Sequence, residues 1–459
     1  MNVFVPHVPQ PPDAPLGFLA FLRAIRANAL DMFTRAAYEE WTVTRRELGR
    51  VSMIVNAPEA IQRVLMTNAD NYTRTPAGRR ILSPIIGNGL LLSEGEAWRL
   101  QRRTVAPALA PRMMPVLAGH IVAAAEETVA ALARPRHPAG AGVDLLTSMQ
   151  HMALDIAGRS MFSLETRAHG AEMRRLLMQY AERLARPYAL DMLLPPGVPS
   201  PHDIFRRRFG AHWMRFIDGL IGARLADPPA DPPRDLFDAL RLARDPDTGE
   251  GFSRAALRDQ TATMIIAGHE TTGLTLFWSL WLLAQAPDVQ ARVAAEAAAA
   301  PLSPATAQEA LAALPYTRAV VSEVLRLYPP AYTIARMARA ADRAGDLDIP
   351  AGATILISPW VLHRHRRLWD APEAFDPDRF MGAAPARFSY LPFGIGPRVC
   401  VGAQFALAEA VLGLACVVRA FDVTLAGGRP VIPRPVITTA PDHAPMFRIA
   451  PREAARRAA

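Results

Sequence analysis

The sequence predicts a mainly helical protein with a small β-rich region. Most of the chain carries apolar residues at spacings of three and four, which is the repeat of a helix with one buried face. Only three short segments have the composition of strands, residues 51–55, 333–337 and 353–358. A hydrophobic content of 51% with 20% charged residues is typical of a globular protein with a packed core.

The N-terminal part begins with a Pro-rich stretch, for which an extended conformation is expected. The elements predicted after it are a helical region, a strand and a short helix, over residues 16–42, 51–55 and 58–67. A further helix is predicted from about Glu94, and it carries Trp98 and Arg102 on one face because they lie four residues apart. An indole N–H beside a guanidinium can bind a carboxylate. A solvated basic face next to one buried Trp is the alternative.

Residues 113–240 form helical stretches broken by Pro clusters, and a long helix follows from the N-cap Ser253 to about residue 286. Its length would be ~50 Å at 1.5 Å per residue. Residues 264–283 are apolar nearly all round, which predicts burial on every side. A membrane span is the alternative, but the polar residues 269–272 would be costly in lipid.

The polar interruption of this helix is a candidate functional notch at Ala267–Thr272. Gly268 lacks a side chain, so that a ligand can approach the helix backbone. The Thr271 hydroxyl can replace a backbone donor and open a local kink, and Glu270 can supply an exchangeable proton. A buried acid satisfied by neighbouring hydroxyls is the alternative, and His269 is expected to be structural.

A helix is predicted over residues 316–328 and ends at Pro329 and Pro330. Glu323 and Arg326 share one face of it, and a surface ion pair of this spacing contributes only a few tenths of a kcal/mol. The flanking Val and Leu residues favour a buried pair instead, which must then be fully hydrogen-bonded.

A Gly/Pro-rich loop over residues 392–402 brings Cys400 to the first turn of a predicted helix that runs to about residue 421. Unpaired N–H groups at a helix N-terminus stabilise a thiolate, so a lowered thiol pKa is expected. Gly394 allows the backbone to fold around the sulfur, Gly402 leaves space for a flat cofactor, and Arg398 adds a positive charge. These features suit a soft ligand on iron, whereas a buried free Cys is the alternative.

The loop resembles the haem-binding loop of the cytochrome P450 family, Phe-x-x-Gly-x-Arg-x-Cys-x-Gly, at every fixed position from Phe393 to Gly402. Phe405, Ala406 and Glu409 are similar to the continuation Phe-Ala-x-x-Glu of one subgroup. Three further motifs of the family are resembled by spacings in this chain, and they follow in the family's order. They are Trp98–Arg102, Gly268–Thr271 and Glu323–Arg326. Leu109 stands where related chains often have Phe, so a packing role of that Phe is not carried over.

The resemblance implies a single triangular haem domain over residues 16–451, preceded by the extended segment 1–15 and followed by a tail, 452–459. Haem b is the implied cofactor, with Cys400 as its iron ligand and O2 as co-substrate. The implied cofactor-binding residues are Cys400, Trp98, Arg102, Arg336, Phe393, Gly394, Arg398, Gly402, Ala267 and Gly268. Glu270 and Thr271 would be catalytic, and Ala267, Thr271, Ala331, Tyr332 and Ile334 would line the substrate pocket. Arg379 would complete a structural network with Glu323 and Arg326.

The implied reaction is monooxygenation of a hydrophobic small molecule, by hydroxylation or epoxidation, with a lipid or terpenoid favoured as substrate. A haem-thiolate enzyme that uses peroxide or needs no reductase is one alternative, and a non-catalytic haem-binding sensor is another. No flavin-binding pattern or iron–sulfur Cys cluster is present in the sequence. Electrons are therefore expected from a ferredoxin or flavodoxin-type donor with its NAD(P)H reductase.

The net charge of +8 comes from a chain in which all 51 basic residues are Arg. Basic residues do not cluster with aromatic ones, which argues against nucleic-acid binding. The surplus suits a docking face for an acidic electron-transfer partner. With two cysteines there is no disulfide framework, and we expect a cytoplasmic bacterial protein without a transmembrane anchor.

Overall fold

The structure, a computed structural model, describes residues 4–47, 49–134, 142–163, 170–188, 190–191, 194, 197–435 and 437–452. Its α-helices are α1 (Phe18–Ala27), α2 (Pro58–Gln62), α3 (Pro76–Ile86), α4 (Gly95–Val105), α5 (Met114–Ala133), α6 (Leu145–Phe162), α7 (Gly170–Gln179), α8 (Pro201–Ala226), α9 (Leu236–Leu242), α10 (Arg254–Leu283), α11 (Pro287–Ala299), α12 (Ala307–Ala312), α13 (Pro315–Leu327), α14 (Pro359–Leu362) and α15 (Ala403–Ala420). Single turns of 3₁₀-helix occur at Ala29–Met32, Arg35–Tyr38, Ala69–Asn71, Ala106–Leu109, Pro111–Met113 and Pro377–Phe380, and π-helical turns at Arg63–Thr67 and Tyr180–Leu184.

All of the strands are short. They are β1 (Thr42–Glu47), β2 (Arg50–Val55), β3 (Tyr72–Thr73), β4 (Val143–Asp144), β5 (Ile334–Ala338), β6 (Asp342–Ala344), β7 (Leu347–Ile349), β8 (Thr354–Ile357), β9 (Phe421–Leu425), β10 (Pro433–Pro435), β11 (Thr439–Pro441) and β12 (Met446–Pro451). The five-stranded sheet has the order β1-β2-β8-β5-β3, with β2 and β8 parallel and the other pairs antiparallel. A three-stranded sheet β4-β12-β9 and the pairs β6–β7 and β10–β11 complete the β structure.

Helix α10 lies in the core of the protein, but the burial on every side predicted for residues 264–283 holds only from Thr272 onward, since Ala267 is exposed and Thr271 is half-buried. Ser253 caps it by accepting a hydrogen bond from the Ala256 N–H, and the residues from Thr272 to Leu283 are buried. α6 packs closely on α10 at Gly273, which has no side chain: a Cβ there would lie only 3.0 Å from the Cα of Gln150. The main hydrophobic core forms around these helices together with α5, α13 and α15, while a second cluster fills the face of the five-stranded sheet.

The predicted mainly helical class with a small β-rich region is confirmed, and most predicted elements lie within a few residues of their observed bounds. One expectation is wrong in part: residues 16–42 are not one helical region. Only α1 is α-helical there, because the extended backbone of Asn28 ends the helix. Asn28 then caps a 3₁₀ turn, with its side-chain oxygen accepting a hydrogen bond from the Leu30 N–H.

Between residues 4 and 15 the chain has neither helix nor strand, and the Phe4 carbonyl accepts a hydrogen bond from the Phe375 N–H. The expected tail, 452–459, lies outside the described residues apart from Arg452. By length and composition two stretches, Gly95–Ala133 and Ala403–Ala420, could cross a membrane. That indication is weak, because Ala403–Ala420 is the buried core helix α15 and Gly95–Ala133 includes two 3₁₀ turns.

Candidate functional site

The Cys400 loop folds tightly because of two glycines in the left-handed region. Gly394 has φ 69° and Gly396 has φ 79°, and a Cβ at Gly396 would lie 2.0 Å from the carbonyl oxygen of Leu65. The Cys400 N–H donates to the Phe393 carbonyl over 2.9 Å, and the Val399 N–H donates to the Gly396 carbonyl over 3.0 Å. The loop thus closes on itself, and the Cys400 side chain stays accessible.

Two expectations about Cys400 are corrected. The cysteine does not lie in the first turn of α15, because Gly402 is the N-cap and the helix begins at Ala403. The pKa of the free thiol is raised, not lowered: although the residue is exposed at its surface, the protein atoms packed around it desolvate the thiolate, and this outweighs the Gly402 N–H and the charge of Arg102, which act in the opposite direction. A metal cation bound to the sulfur would reverse this balance, since it favours the thiolate directly.

Arginines converge on the Cys400 loop from α4 and from the loop itself. Arg102 donates to the Val399 carbonyl over 2.7 Å, next to Cys400. Arg398 donates to Glu94 over 2.8 Å, and its guanidinium lies 4.5 Å from the centre of the Trp98 ring. Trp98 and Arg102 thus both lie beside the Cys400 loop, and their binding of a cofactor carboxylate stays a prediction.

The positive charge around this loop exceeds the negative charge that faces it. Arg336 on β5 is buried, and the hydrogen bond described for its guanidinium goes only to the Ala335 carbonyl. Burial, followed by repulsion from two nearby arginines, one of them Arg398, lowers the pKa of Arg336 to about 9, and Glu94 is the acid that opposes this. Buried cations of this kind call for anionic partners. The two carboxylates of a haem fit this requirement.

The space beside α10 and α15 also fits a flat cofactor. A Cβ added to Gly268 would meet no atom within 4 Å, and one added to Gly402 would meet only Leu109, at 4.0 Å. Ala267 is exposed although it lies mid-way along the core helix. Leu109 is therefore the side chain that borders the open space beside Gly402.

The notch in α10 shows the hydroxyl substitution that its sequence predicts. The Thr271 hydroxyl donates to the Ala267 carbonyl over 2.6 Å, and the Thr275 hydroxyl donates to the Thr271 carbonyl over 2.8 Å. Such bonds compete with the backbone ladder and loosen it locally. His269 is buried, and burial lowers its pKa to about 4, which agrees with a structural role.

Glu270 is held from a distant part of the chain. The Thr438 hydroxyl donates to Glu270 Oε1 over 2.7 Å, and burial raises the pKa of the Glu270 carboxyl. Glu270 is thus a half-buried acid whose carboxyl accepts a hydroxyl hydrogen bond and whose protein surroundings act against its charged form. Sequence reasoning missed Thr438, since a separation of 168 residues carries no local signal.

The predicted substrate-pocket segment, residues 331–334, lies between the Cys400 loop and the 437–439 turn. Ala331 is exposed and Tyr332 is half-buried, with its pKa raised to about 12 by burial. The Ile334 Cδ1 lies 3.6 Å from the Cβ position of Gly394. The Thr439 hydroxyl fastens the 437–439 turn to the Pro329 carbonyl over 2.6 Å.

The predicted network of Glu323, Arg326 and Arg379 is assembled, with Glu323 and Arg326 buried and Arg379 half-buried. Arg326 donates to both Glu323 oxygens, over 2.6 and 2.8 Å, and Arg379 Nε lies 3.6 Å from Glu323 Oε1. Three carbonyls, of His363, Pro372 and Ala374, satisfy the remaining Arg326 donors. A buried pair with this number of partners meets the requirement for complete hydrogen bonding.

His363 connects this network to the Cys400 loop, and sequence reasoning missed it. Its Nδ1 lies 3.2 Å from the Arg326 carbonyl, and its Nε2 accepts from the Leu391 N–H over 2.8 Å, two residues before Phe393. Burial and the neighbouring Arg326 lower its pKa to about 3 and keep the ring neutral, as an acceptor must be.

Comparison with known proteins agrees with this geometry. The family model "Cytochrome P450" matches residues 9–443. Cyclooctatin synthase of Streptomyces melanosporofaciens is 33% identical over 388 residues, covering 82% of each chain. Cyclooctat-9-en-7-ol 5-monooxygenase of the same organism is 33% identical over 337 residues, covering 72% of each chain.

Among more distant relatives, carotene epsilon-monooxygenase of Arabidopsis thaliana is 28% identical over 416 residues, covering 83% of this chain and 75% of that one. The crystal structure of the cytochrome P450DA heme domain superposes with a TM-score of 0.82 at 24% identity, covering 98% of each chain. With the fold, the Cys loop and the match over residues 9–443 in agreement, the chain belongs to the cytochrome P450 family and is a haem-thiolate monooxygenase.

Proposed function

We propose that this chain is a bacterial, cytoplasmic enzyme that inserts one oxygen atom of O2 into a terpenoid or another large lipid. The observation that carries the proposal is the accessible Cys400 thiol beside buried arginines that lack sufficient counter-charge. The family's cofactor is haem, and its b form needs no covalent attachment to the chain. That form suits this chain, because Cys400 is proposed to bind the iron and the other cysteine, Cys416, is buried in α15.

Each residue of the site has a proposed role toward this cofactor. When bound, the haem supplies the activation of O2 and the transfer of one oxygen atom to the substrate. Cys400 holds the iron, and the carboxylates are bound by Trp98, Arg102, Arg336 and Arg398. Residues without bulk or with a flat side chain leave room for the ring, namely Phe393, Gly394, Gly402, Ala267 and Gly268.

Glu270 and Thr271 are proposed to deliver protons to the reaction. Burial raises the pKa of the Glu270 carboxyl, so that it takes up a proton more readily than an exposed acid does. The Thr271 hydroxyl, on the exposed edge of the notch, can accept a hydrogen bond on its oxygen, from a bound molecule or a water, while it donates to the Ala267 carbonyl. Proton supply by a positioned side chain typically contributes 10²–10⁴-fold, roughly, to a rate.

The test of this role is Thr271→Ala. We expect the variant to retain haem and substrate binding but to convert most of its reducing equivalents into hydrogen peroxide, measured as NAD(P)H consumed against product formed. Thr263→Ala is the matched control, because its hydroxyl makes the same kind of bond, to the Asp259 carbonyl, about 12 Å away along α10. Unchanged coupling in Thr271→Ala would refute the role of Thr271.

The substrate class rests on the apolar lining and on the relatives. Ala267, Ala331 and Ile334 present hydrocarbon toward the site, which suits a hydrophobic substrate. Two relatives carry in their names the oxidation of cyclooctat-9-en-7-ol and of carotene. A panel of terpenoid alcohols, polyenes, fatty acids and polyketides of similar size, screened by the spin-state change in the haem spectrum, tests the class. A response to fatty acids alone would exclude the terpenoid assignment.

The electron donor is proposed to be a separate ferredoxin or flavodoxin with its NAD(P)H reductase. Turnover of a ligand from the spectral screen should require NAD(P)H together with one of these donor systems. Product formed with hydrogen peroxide alone would identify a peroxide-using enzyme instead. A haem-loaded protein that forms product under none of these conditions would point to a sensor.

A further inference from the structure

A cavity of about 640 Å³ lies between α7 and α8, and it shares no residue with the candidate functional site. Its described walls come from α7, from the π-helical turn Tyr180–Leu184, from Tyr188 and from the first half of α8. Sites that hold small molecules measure roughly 300–1,000 Å³. The cavity is therefore large enough for a ligand of its own.

The charge that lines this cavity is positive. Four arginines and two histidines contribute to its walls, and none of the described lining residues is acidic. Two of the arginines are neutralised by acids outside the cavity. Arg175 donates to both oxygens of Glu172, over 2.8 and 2.6 Å, and Arg206 donates to both oxygens of Asp191, over 2.7 and 2.8 Å. The second pair is buried and joins α8 to the segment that contains Asp191, so the protein itself fixes this wall.

Arg183 and Arg208 are the two lining cations without a counter-charge. Arg183 lies in the π-helical turn and Arg208 on α8, and both are exposed. Neither forms a hydrogen bond or an ion pair with any described residue. Guanidinium groups bind phosphate and carboxylate oxygens through paired N–H donors. A phosphate group suits two guanidinium groups best, because it carries close to two negative charges at neutral pH.

The remaining walls are apolar or flat. Tyr188 stacks on His202 with ring centres 3.5 Å apart and planes inclined by 19°. Phe205 lines the cavity although it is 58% exposed, and Leu184 and Phe209 add further hydrocarbon. A phosphate group fills only a small part of this volume. The rest of the cavity suits a hydrocarbon tail, whose burial against these side chains is favourable.

We propose that the cavity between α7 and α8 binds a phosphate ester with a hydrocarbon tail, with Arg183 and Arg208 on the phosphate oxygens and Phe205 against the tail. A free small molecule and the head group of a membrane phospholipid both present this chemistry. Because Arg183 follows α7 whereas Arg208 lies on α8, the bound phosphate would also join the two helices.

The test is calorimetric titration of the purified holoenzyme with geranyl diphosphate. Arg183→Gln and Arg208→Gln should each weaken binding about tenfold, which is the order expected for one charge-assisted hydrogen bond. Arg207→Gln is the matched control, since Arg207 is an exposed neighbour on α8 that does not line the cavity. An equal loss in Arg207→Gln, or unchanged binding in both cavity variants, would overturn the proposal.

Inorganic diphosphate tests the hydrocarbon part of the site. It should bind more weakly than geranyl diphosphate, and Phe205→Ser should weaken the binding of the ester alone. Ile204→Ser is the control, because Ile204 is 55% exposed and lies outside the cavity. Equal affinities of the unaltered enzyme for the ester and for inorganic diphosphate would contradict a site for the tail.

Cosedimentation with vesicles of phosphatidylcholine and phosphatidylglycerol in equal parts distinguishes the two sources of the phosphate. Vesicle binding that is lost in Arg183→Gln and Arg208→Gln, without binding of geranyl diphosphate, would assign the site to a membrane lipid. Binding of geranyl diphosphate alone would assign it to a free ester. An enzyme that binds neither would refute the proposal and would leave the proposed function untouched.

Discussion

Glu409 is a buried acid that should make the stability of this protein fall as the pH rises. It lies on α15, is 1% exposed, and accepts a hydrogen bond from the Thr272 hydroxyl over 2.9 Å. Burial raises its pKa from the ordinary 4.5 to about 8, and the Thr272 bond opposes this only in part. The folded state therefore holds the Glu409 proton more tightly than the unfolded chain does.

The sign and size of the effect follow from linkage. The stabilisation is fully present below pH 4.5, where both states are protonated, and it is lost as the pH rises to about 8. This interval spans roughly three and a half pH units at ~1.4 kcal/mol per unit, so the loss is at most about 5 kcal/mol. The Gln side chain of Glu409→Gln does not titrate and should not show this loss.

The assay is denaturant unfolding of the unaltered protein and Glu409→Gln between pH 5 and 8.5. The free energy of unfolding of the unaltered protein should decline by several kcal/mol more than that of the variant. Glu309→Gln, at an exposed position of α12, serves as the control and should follow the unaltered protein. Parallel pH profiles for the unaltered protein and Glu409→Gln would refute the reasoning.

Two further substitutions test the scaffold of the Cys400 loop. Gly396→Ala would place its Cβ 2.0 Å from a carbonyl oxygen, at a φ of 79° that disfavours any residue but glycine. We expect a loss of at least ~2 kcal/mol in the free energy of unfolding and a lower haem content on purification. Gly382→Ala, with open space around it, is the control and should leave both quantities unchanged. Arg326→Ala would strand the buried Glu323 and should lower the free energy of unfolding by roughly 3–5 kcal/mol in denaturant titrations. Arg379→Ala removes a 3.6 Å contact to Glu323 and a hydrogen bond to the Ala371 carbonyl, and should cost clearly less. Equal losses would contradict the assignment of Arg326 as the principal partner of Glu323.

Local spacing in the sequence was enough to predict the parts of the site that lie within one element. The glycines of the Cys400 loop, the i,i+3 pair of Glu323 and Arg326 and the hydroxyl of Thr271 each act on neighbours a few residues away. Their geometry follows from helix periodicity and from φ values that favour glycine. The same holds for the buried face of α10.

The partners that join distant elements were not predictable in this way. Thr438 donates to Glu270 because the neighbouring Thr439 holds this turn by a hydrogen bond to the Pro329 carbonyl. His363, from a separate segment, accepts from the Leu391 N–H just before the Cys400 loop. The raised pKa of Cys400 was also missed, because desolvation depends on how closely the rest of the chain surrounds the sulfur.

The sequence by itself determined the helical class, the tight glycine-containing loop around Cys400 and the residue types of the notch in α10, since these depend on short-range periodicity and backbone preference. Only the tertiary structure decided which charges face one another. The Glu94 carboxylate meets the Arg74 N–H about twenty residues away and the Arg398 guanidinium more than three hundred residues away, and the pairing of β3 with β5 joins segments that are likewise far apart in sequence. Electrostatic balance depends on distance and burial in space, and neither quantity is contained in the local order of residues.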